Sequence, residues 1–213
     1  MPITIFRMSG ISTQRWWEAG QKQMALSEYQ YRYLHDQLTE YAERLLAKFP
    51  EPLQKVFFVN SGSAASDLAI RSAQTHTRNQ GLVVMEHGYH GHTRLGVDIS
   101  HYKFGGKRWI WSERLYFKVP IPDTLSRGNS TIRMQVSIMQ TKSRNCYESN
   151  NSPVAAFIAE PIVGCGGQVP LASGYLKEVI LMIRKQEAFR LDEVQTDYWI
   201  GTHFWVWKPR CNP

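Results

Sequence analysis

A chain of 213 residues, 43% of them apolar, is long enough for one large domain or two small ones and too apolar to be a disordered tail. Its formal net charge of +7 keeps nucleic acid on the list of partners, yet the basic residues are dispersed and form no long run, so the expectation is a positive surface without a nucleic-acid stripe. Cys146, Cys165 and Cys211 lie far apart with no Cys-x-x-Cys pair, which argues against a disulfide scaffold or a zinc ribbon and fits a reducing compartment.

The N-terminal stretch MPITIFRMSG has no basic region followed by a long apolar one. No apolar run reaches the ~18 residues that span a bilayer. The expectation is a soluble cytoplasmic protein, with the mitochondrial matrix as the alternative. Trp17, Met24 and Leu26 predict a helix over Gln14–Leu26. Leu34, Leu38, Tyr41, Leu45 and Phe49 recur at three and four residues, so an amphipathic helix is expected over 33–49, closed by Pro50 and Pro52. Next come an apolar strand at 56–59, a helix at 64–77 and a short strand at 82–85, a strand–helix–strand unit that favours a parallel sheet. Residues 101–152, with Pro120, Pro122 and a Ser/Asn/Arg-rich stretch, read as loops with one element near 132–139. Val154–Ala159 reads as another apolar strand, 175–185 as a helix and 191–194 as the tail of a further strand.

Three short stretches carry chemistry. At Asn60-Ser61-Gly62-Ser63 the expected strand hands over to a helix. A helix start leaves amide N–H groups unpaired and carries partial positive charge. Glycine lets the backbone approach a ligand, and serine hydroxyls add donors, a combination that suits a phosphate group. The plainer alternative is an N-cap with a flexible turn. The glycine and lysine spacing of a P-loop or a dinucleotide fingerprint is absent. His87, His90 and His92, beside Glu86, suggest a metal, but their spacing fits no standard zinc pattern; a surface turn is the plainer reading. Asp192-Glu193-Val194-Gln195 stands at the end of an expected strand, where α/β sheets bind ligands. A carboxylate there can hold a protonated ring nitrogen, a valine can cover a ring face, and a Gln amide can reach a ring hydroxyl. An ordinary polar strand end is the alternative.

Taken in order, VNSGSAASDLAIR, GYHGHT, AAFIAEPIVGCGG, GYLKEV and LDEVQT resemble the class III pyridoxal-phosphate-dependent aminotransferases, in particular the branch of alanine–glyoxylate aminotransferase-like proteins and ethanolamine-phosphate phospho-lyases. RYLHDQLTEYAERLLAKFPEPL and PIPDTLSRG are similar to that branch too. The resemblance implies an α/β fold with a mostly parallel sheet and crossover helices: part of the large domain of a fold type I transferase, acting as a dimer. In this chain it would occupy 29–205, with 129–152 poorly matched, 1–28 a leading segment and 206–213 a tail. It implies that Ser61, Gly62 and Ser63 cradle the phosphate of pyridoxal 5′-phosphate. Tyr89 would stack on the ring with His90 beside it. Asp192 would pair with the ring nitrogen, Val194 would cover the other face, Gln195 would bond the ring hydroxyl, and Glu160 would help position the substrate side.

The implied reaction is transfer of an amino group from an amino acid to a keto acid, with elimination of phosphate from a phospho-amine as the alternative chemistry. A non-catalytic remnant that binds the cofactor or pairs with a full-length relative is a further alternative. The family's chemistry needs a lysine that forms a Schiff base with the cofactor several dozen residues beyond DEVQ. Residues 196–213 hold one lysine, Lys208, in WKPRCNP, which matches no family lysine motif, so impaired turnover is expected of these 213 residues. Ala64 and Ser66 stand where the family has Glu and Asn. Asp197-Tyr198-Trp199-Ile200 stands in place of a glycine-rich turn with an arginine. EAFRL, with Glu187 and Arg190, precedes Asp192 where an apolar run is usual.

Overall fold

The computed structural model describes residues 14–26, 36–49, 53–104, 116–122, 154–172, 174–177, 179 and 190–191. The chain divides into two compact units, one of residues 1–57 with 197–213 and the other of residues 58–196. In the first unit the described elements are helices α1 (Gln14–Leu26) and α2 (Asp36–Leu46). The first coincides with its expected span; the second lies inside the expected 33–49, its Asp36 in the first turn and Arg44 in the last, each where the helix dipole favours it.

The second unit is built on a four-stranded sheet in the order β2-β1-β3-β6, all neighbours parallel. Its strands are β1 (Gly81–Met85), β2 (Tyr116–Val119), β3 (Val154–Ala159) and β6 (Arg190–Leu191), and a small antiparallel pair, β4 (Ile162–Val163) with β5 (Val169–Pro170), follows β3. Every residue of β1 and β3 is buried, as a parallel sheet covered on both faces requires. Alternate side chains enter two cores. Leu82 and Val84 join Ile158 on the face covered by Ile70 of helix α3 (Gly62–Thr77) and by Ile99, at the end of helix α4 (Arg94–Asp98). Val83 and Met85 join Phe157 and Ala159 on the other face, under Leu171, Tyr175 and Val179. Each large side chain removed from water this way contributes about 1.5–3 kcal/mol. The register jumps between Gly81 and Leu82, which pair with Val154 and Ala156, so Ala155 is the extra residue of a bulge and faces the same core as Ala156.

The expected strand at 56–59 does not form. Residues 53–59 are irregular, and Phe57, Phe58 and Val59 are exposed. A strand is defined by a ladder partner, and no described strand pairs with this segment. Residues 101–152 were expected to be loops, yet they include helix α5 (His101–Phe104) and strand β2, which pairs with β1 along its length. The element expected near 132–139 lies outside the described residues. The helix expected over 175–185 is seen at its start, at 175–177 and 179.

Candidate functional site

The first turn of α3 is shaped by its serines. Ser61 is the N-cap, in extended conformation, and its hydroxyl oxygen accepts the Ala64 N–H at 3.2 Å. Ser63 Oγ accepts the His92 N–H at 3.1 Å, from the loop that follows β1. Both hydroxyls therefore use an oxygen lone pair on a backbone amide and keep an O–H proton to donate elsewhere. The Gly62 and Ser63 amides sit at positions without an intrahelical acceptor. The helix start thus offers donors and partial positive charge to an anion.

The loop from Glu86 to Thr93 is pressed onto that turn. Gly91 has φ of +120°, and a Cβ there would lie 2.9 Å from both Cα and Oγ of Ser63. Only glycine permits this backbone conformation at this separation. Two residues on, Thr93 Oγ1 donates to Asp67 Oδ1 at 2.6 Å, and the same oxygen caps α4 by accepting the Gly96 N–H at 2.9 Å. His90 is buried, its amide donating to Ser100 Oγ at 2.8 Å, and the Ser100 hydroxyl in turn donates a hydrogen bond to Gly96 O at 2.6 Å. Gly88 approaches the His90 ring so closely that a Cβ would lie 2.9 Å from Nε2.

Glu160, at the carboxyl end of β3, joins this loop to the glycine-rich turn beyond it. The side chain is 3% exposed. Its Oε1 accepts the Tyr89 N–H at 2.9 Å, and its Oε2 accepts the Gly164 N–H at 3.1 Å. Charge-assisted bonds of this kind are the stronger class and offset the cost of burying a carboxylate. Gly166 lies against the loop from the other side, where a Cβ would meet His87 Cβ at 2.6 Å.

Ser61, Gly62, Ser63, Tyr89, His90 and Glu160 are thus gathered where α3 begins and where β1 and β3 end. Asp192, Val194 and Gln195 lie outside the described residues; the strand leading to them does pair with β3, through Ile158↔Arg190 and Ala159↔Leu191. Among the described residues no group of three or more His, Cys, Asp or Glu side chains is placed to hold a metal ion. Sequence reasoning missed Thr93 and Asp67 as a clamp between helix and loop. The threonine immediately before the short helix α4 was a legible N-cap signal, but its pairing with Asp67 is a tertiary fact. It also missed His101 and Lys118, which meet at the ends of α5 and β2: Lys118 Nζ lies 3.2 Å from His101 Nε2 and 3.4 Å from Glu86 Oε1.

The sequence model described as "Aminotransferase class-III" matches residues 14–202. The chain belongs to the class III aminotransferase family. Two curated members are similar to it across most of its length. An "Alanine--glyoxylate aminotransferase 2-like" protein of Drosophila melanogaster is 36% identical over 200 residues, 89% of this chain and 40% of that protein. An "Ethanolamine-phosphate phospho-lyase homolog 1" of Caenorhabditis elegans is 35% identical over 205 residues, 89% of this chain and 44% of that protein. Among solved structures, a phospholyase from Arthrobacter in complex with phosphoethanolamine superposes with a TM-score of 0.80 at 27% identity, over 89% of this chain and 45% of that one. This class III chain therefore spans about two fifths of the length of the curated relatives it matches. The family and the fold expected from the motifs are both borne out: the parallel sheet with its helices is part of the large domain of a fold type I transferase.

Proposed function

We propose that this chain binds pyridoxal 5′-phosphate at the meeting of α3, the 86–93 loop and Glu160. Class III aminotransferases are pyridoxal-phosphate-dependent. The donor set described here suits the phosphate: a helix start with a glycine and two capping serines whose hydroxyl protons remain to be donated. In this reading Ser61, Gly62 and Ser63 hold the phosphate. Tyr89 and His90 lie along the ring, Asp192 pairs with the ring nitrogen, Val194 covers the opposite face and Gln195 bonds the ring hydroxyl. Glu160 acts by fixing the Tyr89 and Gly164 amides, so its carboxylate holds the ring-side loop. The bound cofactor would supply an electron sink for chemistry at an amine-bearing carbon. The observation that carries the reading is the direct bond from the loop amide of His92 to Ser63, which ties the phosphate turn to the ring-side loop.

The inherited reaction is amino-group transfer from an amino acid to a keto acid. The lysine that the family's chemistry needs matches no lysine in residues 196–213. Phospho-amine elimination is the second reading, favoured by the 35% identity to a phospho-lyase homolog and by the 0.80 TM-score to a phospholyase. Pyridoxal phosphate titrated into the chain should change its absorbance saturably, with inorganic phosphate competing. Absence of a saturable change would overturn cofactor binding. Borohydride fixation of the cofactor to one defined lysine, with turnover, would overturn the expectation of impaired catalysis. Alanine with glyoxylate and phosphoethanolamine as parallel substrates separate the two chemistries. We further propose a homodimer or pairing with a full-length relative, tested by light scattering and co-purification, and a cytoplasmic location. No described helix is long and apolar enough to cross a membrane.

A further inference from the structure

The loop proposed to face the cofactor is held on its outer side by a histidine that the family reading does not use. His101 opens α5, and its Nδ1 lies 3.2 Å from the backbone nitrogen of His87. The next residue closes a second bond, Tyr102 N–H to Gly88 O at 3.1 Å. Two consecutive residues of α5 thus grip two consecutive residues of the loop, immediately before Tyr89 and His90. The grip falls where the loop is strained: His87 has φ of 58°, a left-handed conformation costly for a non-glycine residue. On the opposite side Gly166 leaves it no room to relax, since a Cβ there would lie 2.6 Å from His87 Cβ and 2.9 Å from His87 O.

The bond fixes the protonation state of the ring. A backbone N–H only donates, so Nδ1 must present a lone pair and the proton of the neutral imidazole resides on Nε2; the Lys118 ammonium 3.2 Å from Nε2 is also a donor, so it directs its N–H bonds aside, toward Glu86 at 3.4 Å. A second proton would have to go onto Nδ1, where it would oppose the His87 N–H. Among the described residues, the charged and titratable groups facing the ring are Lys118 from β2 and His87 and Glu86 from the loop, with the His87 ring edge-on at 5.6 Å between centroids. Burial, then Lys118, then His87, disfavour a second proton, and Glu86 opposes them; the net direction is a pKa below the ordinary histidine value.

We propose that His101 is a positioning residue that holds the 86–93 loop in place through its neutral imidazole and releases it when protonated. The grip itself is a property of this structure, whereas its consequence for the cofactor rests on the function proposed above.

The test uses the full chain, its His101→Asn variant and its His101→Phe variant. Asparagine places an amide oxygen where Nδ1 stands and does not titrate, whereas phenylalanine keeps the ring and removes the acceptor. Nuclear magnetic resonance of the imidazole nitrogens and the His87 amide is followed between about pH 5.5 and 8. In the native chain the His87 amide shift should titrate together with the His101 ring, with Nε2 protonated at the alkaline end. It should stay constant in His101→Asn, and in His101→Phe it should take the acid-state position at every pH. A second arm measures pyridoxal phosphate affinity over the same range. The phosphate itself ionises near pH 6, as phosphate monoesters do, and this affects all three proteins alike. The readout is therefore the difference: an added loss of about tenfold on acidification in the native chain that His101→Asn lacks. A His87 amide indifferent to His101 protonation, or an Asn variant with the native pH profile, overturns the proposal. If the cofactor fails to bind any of the three, the functional reading fails and the resonance arm still decides the grip.

Discussion

At the scale of single residues, the site depends on groups that hold backbone rather than on groups that reach outward. Glu160 is the plainest case, since each carboxylate oxygen accepts one amide from a different segment. Glu160→Gln keeps the volume but turns an amide NH2 toward one of those N–H donors. We expect a loss of about 1–3 kcal/mol in stability, measured by urea unfolding, together with weaker cofactor binding. Gly91→Ala is expected to cost about 3 kcal/mol by the same measurement, because the methyl would meet Ser63 Cα in a conformation that already disfavours it. The sequence announced both positions as part of motifs. It did not announce why they matter, because the partners, Tyr89 with Gly164 and Ser63, lie 71 and 28 positions away at their most distant.

At the scale of elements, legibility followed burial. Val154–Ala159 was readable as a strand because a run of apolar residues has few alternatives to a fully covered sheet position, and the structure gives the same six residues. The FFV stretch at 57–59 is as apolar, yet it is exposed and irregular, because apolarity favours a strand without supplying the neighbour that makes one. β2 failed in the other direction: Tyr116–Val119 carries Lys118 and only half-buried residues until Val119, so its pattern is weak and its existence follows from pairing with β1. Helix α1 offers a direct check on propensity. Gly20 sits in its interior with nothing within 4 Å of an added methyl, so Gly20→Ala should raise stability by up to about 1 kcal/mol in thermal unfolding. In α4, Thr93→Val removes both the cap on Gly96 and the bond to Asp67, and should cost about 1–2 kcal/mol.

At the scale of the whole molecule, stability should fall on both sides of neutrality. His101 is held below the ordinary histidine pKa, so the unfolded chain takes up its proton first. The contribution is complete above about pH 6.5 and is lost as pH falls through the folded value. Tyr175, buried in the core under the sheet, is pushed well above the ordinary tyrosine range by burial. Its contribution is complete below about pH 10 and is lost as pH rises beyond it, because the unfolded chain ionises first. Urea midpoints across the pH range should show both flanks, and Tyr175→Phe should flatten the alkaline one. By itself the sequence determined the family and the parallel α/β class, because those depend on local chemistry in a fixed order along the chain; the residues proposed to hold a phosphorylated ring were named from the same motifs. The tertiary structure alone decided which segments find a ladder partner, and that Ser63, Gly91, Glu160 and His101 act on one loop. Those facts are distances between residues remote in sequence, and no local pattern encodes a distance.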